Sequence, residues 1–165
     1  MKLEQTADGS YTLYVPELDE HYHSVKGALT ESQHIFIEMG LKHSPVSEPH
    51  ILEIGLGTGL NAFLTLLSAE ETRRKVHYTG IERYPLAEET LKQLDYPRLI
   101  GKQHEEDYYA IHRAPWNTET EVSPWFTLHK IEDDFTRLFN TEESSRPAVP
   151  LYDIIYFDAD RKSVV

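Results

Sequence analysis

The segment Glu53–Gly59 carries the residue pattern that points most clearly to chemistry. It reads E-x-G-x-G-x-G, with glycines at Gly55, Gly57 and Gly59. Glycine suits a loop that lies against a ligand, because a side chain would collide with the ligand and because positive φ is cheap only for glycine. The dinucleotide fingerprint G-x-G-x-x-G has glycine at its last position, which is Leu60 here. The loop thus predicts a small-molecule site, with a nicotinamide or flavin dinucleotide as the less favoured ligand.

Two acidic residues accompany the loop and indicate the charge of its ligand. Glu53 stands two residues before the first glycine, and Glu82 ends the next predicted strand. A carboxylate is unfavourable beside a pyrophosphate but favourable beside a cation. S-adenosylmethionine carries an ammonium and a sulfonium group and no phosphate, and Glu82 is placed to accept hydrogen bonds from both of its ribose hydroxyls. The pattern predicts an S-adenosylmethionine site; the alternative is a structural turn with a solvated Glu53.

Strands and helices alternate along the chain in the order expected of a parallel α/β sheet. Apolar runs predict four strands, and the segments between most of them are long enough for right-handed crossovers. A helix after the glycine loop is predicted by the apolar spacing from Leu60 to Leu67. The predicted strands are His50–Ile54, Val76–Ile81, Trp125–Ile131 and Tyr152–Phe157.

The other segments are predicted from turn residues and apolar spacing. Residues 2–15 alternate around a central Asp-Gly pair, which favours a two-stranded ribbon. Val25–Leu41 has the apolar pattern of one helix. Further along, one helix is expected to stop before Pro97, a second to cover Glu105–His112, and an irregular polar stretch to run from Pro115 to Pro124.

Acidic residues also follow the third predicted strand. Asp133 and Asp134 come directly after its terminal glutamate. Ligands of open α/β sheets lie at the carboxyl ends of the strands, so either aspartate is a candidate to bind the adenine amino group of the cofactor. A solvated acidic loop is the equally weighted alternative.

Composition limits the classes of protein to which the chain can be assigned. Its 165 residues suffice for one domain, predicted to cover 1–165. The absence of cysteine removes thiolate and zinc–sulfur chemistry, no metal site is expected, and no apolar run is long enough to span a membrane. We therefore expect a cytoplasmic protein. The net charge of −12, without a cluster of basic residues, disfavours non-specific nucleic-acid binding by this chain alone.

Two segments together resemble one family of enzymes. The helix start within Tyr22–Ile37, with its Gly-Ala-x-x-Glu-Ser pattern, and the glycine loop within Ile51–Phe63 are similar to the methyltransferase domain of the bifunctional tRNA 5-methylaminomethyl-2-thiouridine biosynthesis protein and its stand-alone relatives. The resemblance implies a Rossmann-like class I fold and S-adenosylmethionine as methyl donor. It further implies tRNA as substrate, methylated on the exocyclic amine of 5-aminomethyl-2-thiouridine at the wobble position, and an FAD-dependent oxidase as partner or fused domain.

The resemblance also implies roles for individual residues. Asp158, at the end of the fourth strand, corresponds to the family's strand-end aspartate and is expected to hold the amine and accept its proton. Tyr22 is a weaker candidate for the same neighbourhood. The residues expected to contact the cofactor are Gly27, Glu31, Glu53, Gly55, Gly57, Gly59, Glu82, Asp133 and Asp134.

The sequence departs from the family after Asp158, where the motif Asp-Ala/Gly-Phe-x-Pro is not continued. We therefore expect the class I sheet to be truncated after its fourth parallel strand, with an N-terminal ribbon and helix. Such a sheet would expose the edge at Tyr152–Phe157 and favour self-association. Two alternatives to a tRNA methyltransferase stay open: a methyltransferase for a small molecule or protein, and a cofactor-binding fragment without activity.

Overall fold

The computed structural model describes residues 1–17, 19–23, 26–139 and 152–157. These residues form a three-stranded antiparallel sheet and a five-stranded mixed sheet, connected by helices. The strands are β1 (Lys2–Gln5), β2 (Tyr11–Val15), β3 (Glu20–His21), β4 (His50–Ile54), β5 (Val76–Glu82), β6 (Thr118–Ser123), β7 (Phe126–Glu132) and β8 (Ile154–Phe157). The α-helices are α1 (Ala28–Ser32), α2 (Leu60–Thr72), α3 (Glu88–Leu94), α4 (Tyr96–Ile100), α5 (Glu105–Arg113) and α6 (Phe135–Phe139).

The large sheet has the strand order β6-β7-β5-β4-β8. The last four of these strands are parallel, and β6 is antiparallel to β7. Ile54 lies opposite both Ile81 and Phe157, so that β4, β5 and β8 end at the same level. Glu82 likewise lies opposite Glu132 at the end of β7. The predicted Rossmann-like α/β fold with four parallel strands is confirmed, and its carboxyl ends share one edge.

Helix α2 packs across one face of this sheet and forms the centre of the core. Leu60 and Phe63 are at most 1% exposed, as the apolar spacing predicts. The opposite side of the helix is buried as well, because α1 and α5 pack against it. Its weak amphipathicity follows from this position between two layers. The largest buried aromatic side chains around it are Tyr78, Tyr96, Tyr108, Phe126 and Tyr156.

The N-terminal ribbon is confirmed and is larger than expected. Strands β1 and β2 form the predicted antiparallel hairpin, and β3 adds a short third strand to β2. Thr12 of β2 is fully buried. Its hydroxyl exchanges hydrogen bonds with the backbone of His23, which ties the ribbon to the segment that follows it.

The expected single helix over Val25–Leu41 is wrong. Helix α1 begins only at Ala28, and the chain then widens into a π-helical segment, Gln33–Glu38, closed by a bond from the Met39 amide to the His34 carbonyl. Leu41 belongs to a separate 3-10 turn. The apolar spacing indicated a helical face but not the change in helical pitch.

The expected stop before Pro97 is confirmed, since α3 ends at Leu94. Pro97 lies in the first turn of the next helix, α4, where its missing amide hydrogen is not required. One further expectation is corrected. Residues 115–124 are not irregular, since β6 occupies most of them. This strand lies at the sheet edge and is largely exposed and polar, so it shows no apolar alternation. Among the described residues, no helix is long and apolar enough to cross a bilayer.

Candidate functional site

The glycine loop lies at the carboxyl edge of the sheet, between β4 and α2. Gly55, Gly57 and Gly59 all have positive φ angles, of 86°, 50° and 72°. The amides of Gly55 and Leu56 both donate to the carbonyl of Ile81, each at 3.0 Å. The loop is thus anchored to β5, and its conformation explains why glycine stands at these three positions.

Glu82 joins the end of β5 to the glycine loop. Its side-chain atom Oε2 accepts the amide of Gly57 at 2.9 Å, and Oε1 accepts the amide of Tyr84 at 2.8 Å. The residue is 9% exposed. A carboxylate has about four acceptor positions, and these two amides occupy one on each oxygen. Glu82 is therefore fixed against the loop with acceptor capacity left on both oxygens.

Glu53 lies beneath the loop and is only 1% exposed. Its Oε1 accepts the side-chain amide of Asn61 at 2.9 Å, and its Oε2 accepts the hydroxyl of Tyr78 at 2.7 Å. The carboxylate therefore ties β4 to the first turn of α2 and to β5. Its expected contact with a cationic cofactor stays a prediction.

The N-terminal segment contacts the loop from the other side. The Tyr22 ring is 3.3 Å from the position that a Cβ on Gly57 would take. His23 Nε2 is 3.0 Å from the hydroxyl of Thr58, a buried loop residue whose carbonyl also accepts the hydroxyl of Tyr108. Because of these contacts, the ribbon and the loop form one packed unit.

The described contacts of Gly27 and Glu31 are not with the glycine loop: Gly27 lies beside Asp8, and Glu31 is hydrogen-bonded to Gly27. A Cβ on Gly27 would be 2.6 Å from Asp8 Oδ2. The amide of Glu31 donates to the Gly27 carbonyl at 3.0 Å, and its side chain is exposed. Their expected contact with the cofactor stays a prediction, and Tyr22 is the N-terminal side chain that reaches Gly57.

The two aspartates after β7 have different surroundings. Asp134 is the N-cap of α6, since its Oδ1 accepts the amide and the hydroxyl of Thr136 at 2.9 and 2.7 Å. These bonds, with a contact at 3.0 Å from Arg83 to Oδ2, hold the pKa of Asp134 below its usual value. Asp133 extends the ladder by donating its amide to the Glu82 carbonyl at 3.2 Å. Adenine binding stays a prediction for both, and Asp133 is the better placed because it is not the helix cap.

A small cavity of about 40 Å³ lies beside Glu82. Sequence reasoning identified only its glycine-loop side, and two of its polar wall residues, His112 and Lys130, were missed. The wall residues are Leu56, Gly57, Glu82, Pro85, Leu86, Leu91, His112, Trp116 and Lys130.

Lys130 is a buried cation, 2% exposed. Its Nζ donates to the backbone carbonyl of His112 at 2.8 Å and lies 4.6 Å from the centre of the Trp116 ring. Burial lowers the pKa of Lys130 to about 8. A signal was available in the sequence, because the alternation that points Phe126 and Leu128 inward points Lys130 inward too.

His112 lies in the last turn of α5, with its ring against the glycine loop. The Cε1 atom is 2.8 Å from the position that a Cβ on Gly59 would take. Burial, and next the charge of Lys130, lower the pKa of His112 to about 4, so the imidazole is neutral at pH 7. No periodicity indicated this residue, because its position depends on how α5 packs against the sheet.

Asp158 lies outside the described residues. Strand β8 ends at Phe157, opposite Ile54, and therefore points to the same edge as the glycine loop. Within the described part of the chain, no group of three or more His, Asp or Glu side chains is arranged to hold a metal ion.

Comparisons with known proteins confirm the family resemblance found in the sequence. No family model matches the chain. The tRNA 5-methylaminomethyl-2-thiouridine biosynthesis bifunctional protein MnmC of Magnetococcus marinus is 34% identical over 94 residues, which are 52% of this chain and 14% of that protein. The protein of the same name from Burkholderia mallei is 33% identical over 119 residues, 68% of this chain and 16% of that protein. The chain thus spans a small part of these relatives.

A solved structure supports the same resemblance over more of the chain. The crystal structure of MnmC2 from Aquifex aeolicus is similar with a TM-score of 0.64 and 26% identity. The similarity covers 86% of this chain and 45% of that one. The likeness therefore includes most of the chain.

Proposed function

We propose that this chain is an S-adenosylmethionine-dependent methyltransferase domain that modifies the wobble uridine of tRNA. Its substrate group would be the exocyclic amine of 5-aminomethyl-2-thiouridine. The observation that carries the proposal is the bond between the Glu82 carboxylate and the Gly57 amide, which fixes a strand-end acid against the glycine loop. The sequence similarity to the MnmC proteins supports the choice of tRNA as substrate.

The residues of the loop suit the proposed cofactor chemically. Glu82 keeps acceptor capacity on both oxygens, which matches the two hydroxyls of a ribose. Gly57 has a positive φ and no side chain to block a ligand. The buried carboxylate of Glu53, beneath the loop, repels phosphate but tolerates a cation. We therefore assign the ribose to Glu82 and the adenine to Asp133, with Gly55, Gly57 and Gly59 as the surface on which the cofactor lies.

When bound, S-adenosylmethionine supplies an activated methyl group on its sulfonium. The chain's own task is to position an amine in line with that group and to remove its proton. A free alkyl amine titrates near 10 and is charged at neutral pH, so a base must accept a proton. Asp158 is the proposed acceptor, because it follows the end of β8 at the carboxyl edge.

We further propose that this protein acts in the cytoplasm as one domain, with an FAD-dependent oxidase as partner or fused domain. Its net charge of −12 opposes binding to tRNA, so we expect the basic contact surface to be supplied by another domain or protein. Along the sheet, no described strand pairs with the outer edge of β8, and Ile155 and Phe157 are 63% and 59% exposed. We propose that the chain self-associates through this edge. The test is whether its molecular mass in solution rises with protein concentration.

The deciding experiment is methyl transfer from labelled S-adenosylmethionine to tRNA that carries 5-aminomethyl-2-thiouridine. The proposal expects incorporation that ribonuclease abolishes, with unmodified tRNA as the control. The acidic surface favours a second candidate, a methyltransferase for a small molecule or protein. Incorporation that resists ribonuclease would support it and exclude tRNA. Cofactor binding without transfer to any acceptor would mark the chain as a binding fragment.

A further inference from the structure

The side chain of His112 has a polar atom that the fold leaves without a partner. His112 Nε2 is buried, and no group among the described residues forms a hydrogen bond with it. The rest of the residue is well fixed: its carbonyl accepts Lys130 Nζ at 2.8 Å, and its ring meets the edge of Tyr108 at a centroid distance of 4.6 Å. A buried polar atom without a partner destabilises the fold, so a group from outside the protein is the expected partner.

The surroundings decide what kind of group that is. The cavity that His112 shares with Glu82 has a volume of about 40 Å³, which is room for a hydroxyl group or a water molecule and little more. Its polar walls combine the Glu82 carboxylate, which only accepts, the Lys130 ammonium, which only donates, and a neutral imidazole, whose Nε2 donates or accepts according to tautomer. A hydroxyl suits all three groups, because it donates one hydrogen bond and accepts others.

This cavity lies between the glycine loop and a larger groove. Leu56 and Gly57 of the loop form one of its walls, beside Glu82. A larger groove of about 370 Å³ between α3 and α5 lies on the other side and shares Leu86, Leu91 and His112 with the cavity. His112 is thus a wall residue of both spaces.

We propose that His112 is a further binding residue of the candidate cofactor site, and that its Nε2 forms a hydrogen bond with the hydroxyl that fills the cavity beside Glu82. The hydroxyl belongs either to the ribose of the cofactor or to a water molecule held next to it. This inference rests on the proposed function, since it takes the Glu82 cavity to be part of the cofactor site.

Calorimetry with S-adenosylhomocysteine tests the bond directly. His112→Phe keeps a planar ring and removes the polar atom, and we expect it to weaken binding by about two- to tenfold, the effect of one neutral hydrogen bond. His112→Gln returns an amide near the position of Nε2 and should restore most of the affinity. The matched control is His129→Phe, on the same strand as Lys130 but on the opposite face of the sheet.

Deoxy analogues identify the source of the hydroxyl. If Nε2 binds a ribose hydroxyl, the 2′-deoxy or the 3′-deoxy analogue of S-adenosylhomocysteine will bind to the unmodified chain and to His112→Phe with equal affinity. If Nε2 binds water, the difference between the two proteins will persist with both analogues. Either result supports the proposed bond.

Two results would overturn it. One is unaltered affinity in His112→Phe; the other is an equal loss in the Phe and Gln variants, which would reveal packing alone. A measurement without any variant guards against misfolding: the ¹⁵N shift of His112 Nε2 should change on addition of S-adenosylhomocysteine while that of His129 does not. An unchanged shift on a chain that binds the ligand rejects this inference only, whereas a chain that binds no ligand removes the proposed function and the inference together.

Discussion

Asp8 and Glu82 each accept backbone amides beside a glycine, yet the two carboxylates differ in how fully they are used. Asp8 Oδ1 accepts the amide and hydroxyl of Ser10 and the hydroxyl of Thr6, and its Oδ2 accepts the amide and hydroxyl of Thr30. Glu82 accepts only the amides of Gly57 and Tyr84. Five donors leave no acceptor position on Asp8, whereas two donors leave about half of those on Glu82.

The comparison separates a structural carboxylate from one that is available to a ligand. Asp8 links the β1–β2 hairpin to the start of α1, and the neighbouring Gly27 is needed because a Cβ would meet the carboxylate itself. Partial burial raises the pKa of Asp8, but the hydrogen bonds from Ser10, Thr30 and Thr6 outweigh it and hold the pKa well below its usual range. Glu82 instead borders an open cavity. An acid next to a glycine therefore does not by itself indicate a ligand site.

The largest expected effect is on stability and comes from removing the structural carboxylate, Asp8. Asp8→Ala should lower the free energy of unfolding by about 3 kcal/mol, because charge-assisted hydrogen bonds and a helix-terminal contact are lost together. Urea unfolding at pH 7 measures it. Asp19→Asn is the control, since Asp19 accepts one exposed hydrogen bond from Tyr14 and asparagine tolerates the positive φ of 54° at this position. Equal losses of unfolding free energy in the two variants would show that the hydrogen bonds of Asp8 contribute no more than one exposed bond.

Removing the carboxylate of Glu82, which is available to a ligand, should affect cofactor binding and not folding. Glu82→Ala should weaken S-adenosylhomocysteine binding about a hundredfold, since two hydrogen bonds from ribose hydroxyls to a carboxylate are removed. Calorimetry at a temperature where the variant is folded measures the loss. Glu132→Ala, opposite Glu82 in the register, should bind within twofold of the unmodified chain. Unaltered affinity in Glu82→Ala would refute the ribose assignment.

A change of pH should act on the wall of the Glu82 cavity but not on the Asp8 cluster. The folded pKa of His112 is about 4, below its ordinary value of 6.5, so the unfolded chain takes up this proton first as the pH falls. Its contribution therefore lowers the free energy of unfolding between pH 6.5 and 4, by about 2 kcal/mol from pH 7 to pH 5. Urea unfolding of the unmodified chain and of His112→Gln at both pH values isolates this part. A constant difference between the two proteins would contradict the buried neutral imidazole.

The smallest effect concerns the acidic pair after β7. Asp134→Ala should lower the free energy of unfolding by about 1 kcal/mol, through the loss of the α6 cap, and leave cofactor affinity within twofold. Asp133→Ala should weaken binding and should cost no more stability than Asp134→Ala, since the described hydrogen bond of its side chain is with one backbone amide, that of Asp134. The two variants, compared by urea unfolding and calorimetry, extend the contrast between structural and available carboxylates. If only Asp134→Ala lost affinity for the cofactor, the adenine contact would belong to Asp134 and not to Asp133.

The sequence predicts those parts of the molecule in which a local pattern has a local cause. Strands β4, β5 and β7 were predictable because their apolar side chains pack into the core, and the glycines at 55, 57 and 59 reflect backbone angles. Strand β6 escaped prediction because an exposed edge strand requires no apolar face.

The rest of the site depends on contacts between residues distant in the chain. Nothing near Glu53 indicates that Tyr78 and Asn61 occupy its two oxygens. His112 reaches the glycine loop through the packing of α5, whose end is also bonded to Lys130 on another element. Such roles follow from tertiary packing. The sequence therefore predicts where the acids lie along the chain, but not which of them keep acceptor positions free for a ligand.

The most direct test of the central claim is calorimetric titration of the unmodified chain with S-adenosylmethionine and, separately, with NAD. Glu53, two residues before the first glycine, and Leu60, in place of the last fingerprint glycine, predict micromolar binding of S-adenosylmethionine and no detectable binding of NAD, whose pyrophosphate would lie against the Glu53 carboxylate. Binding of NAD in preference to S-adenosylmethionine, or binding of neither, would contradict the account.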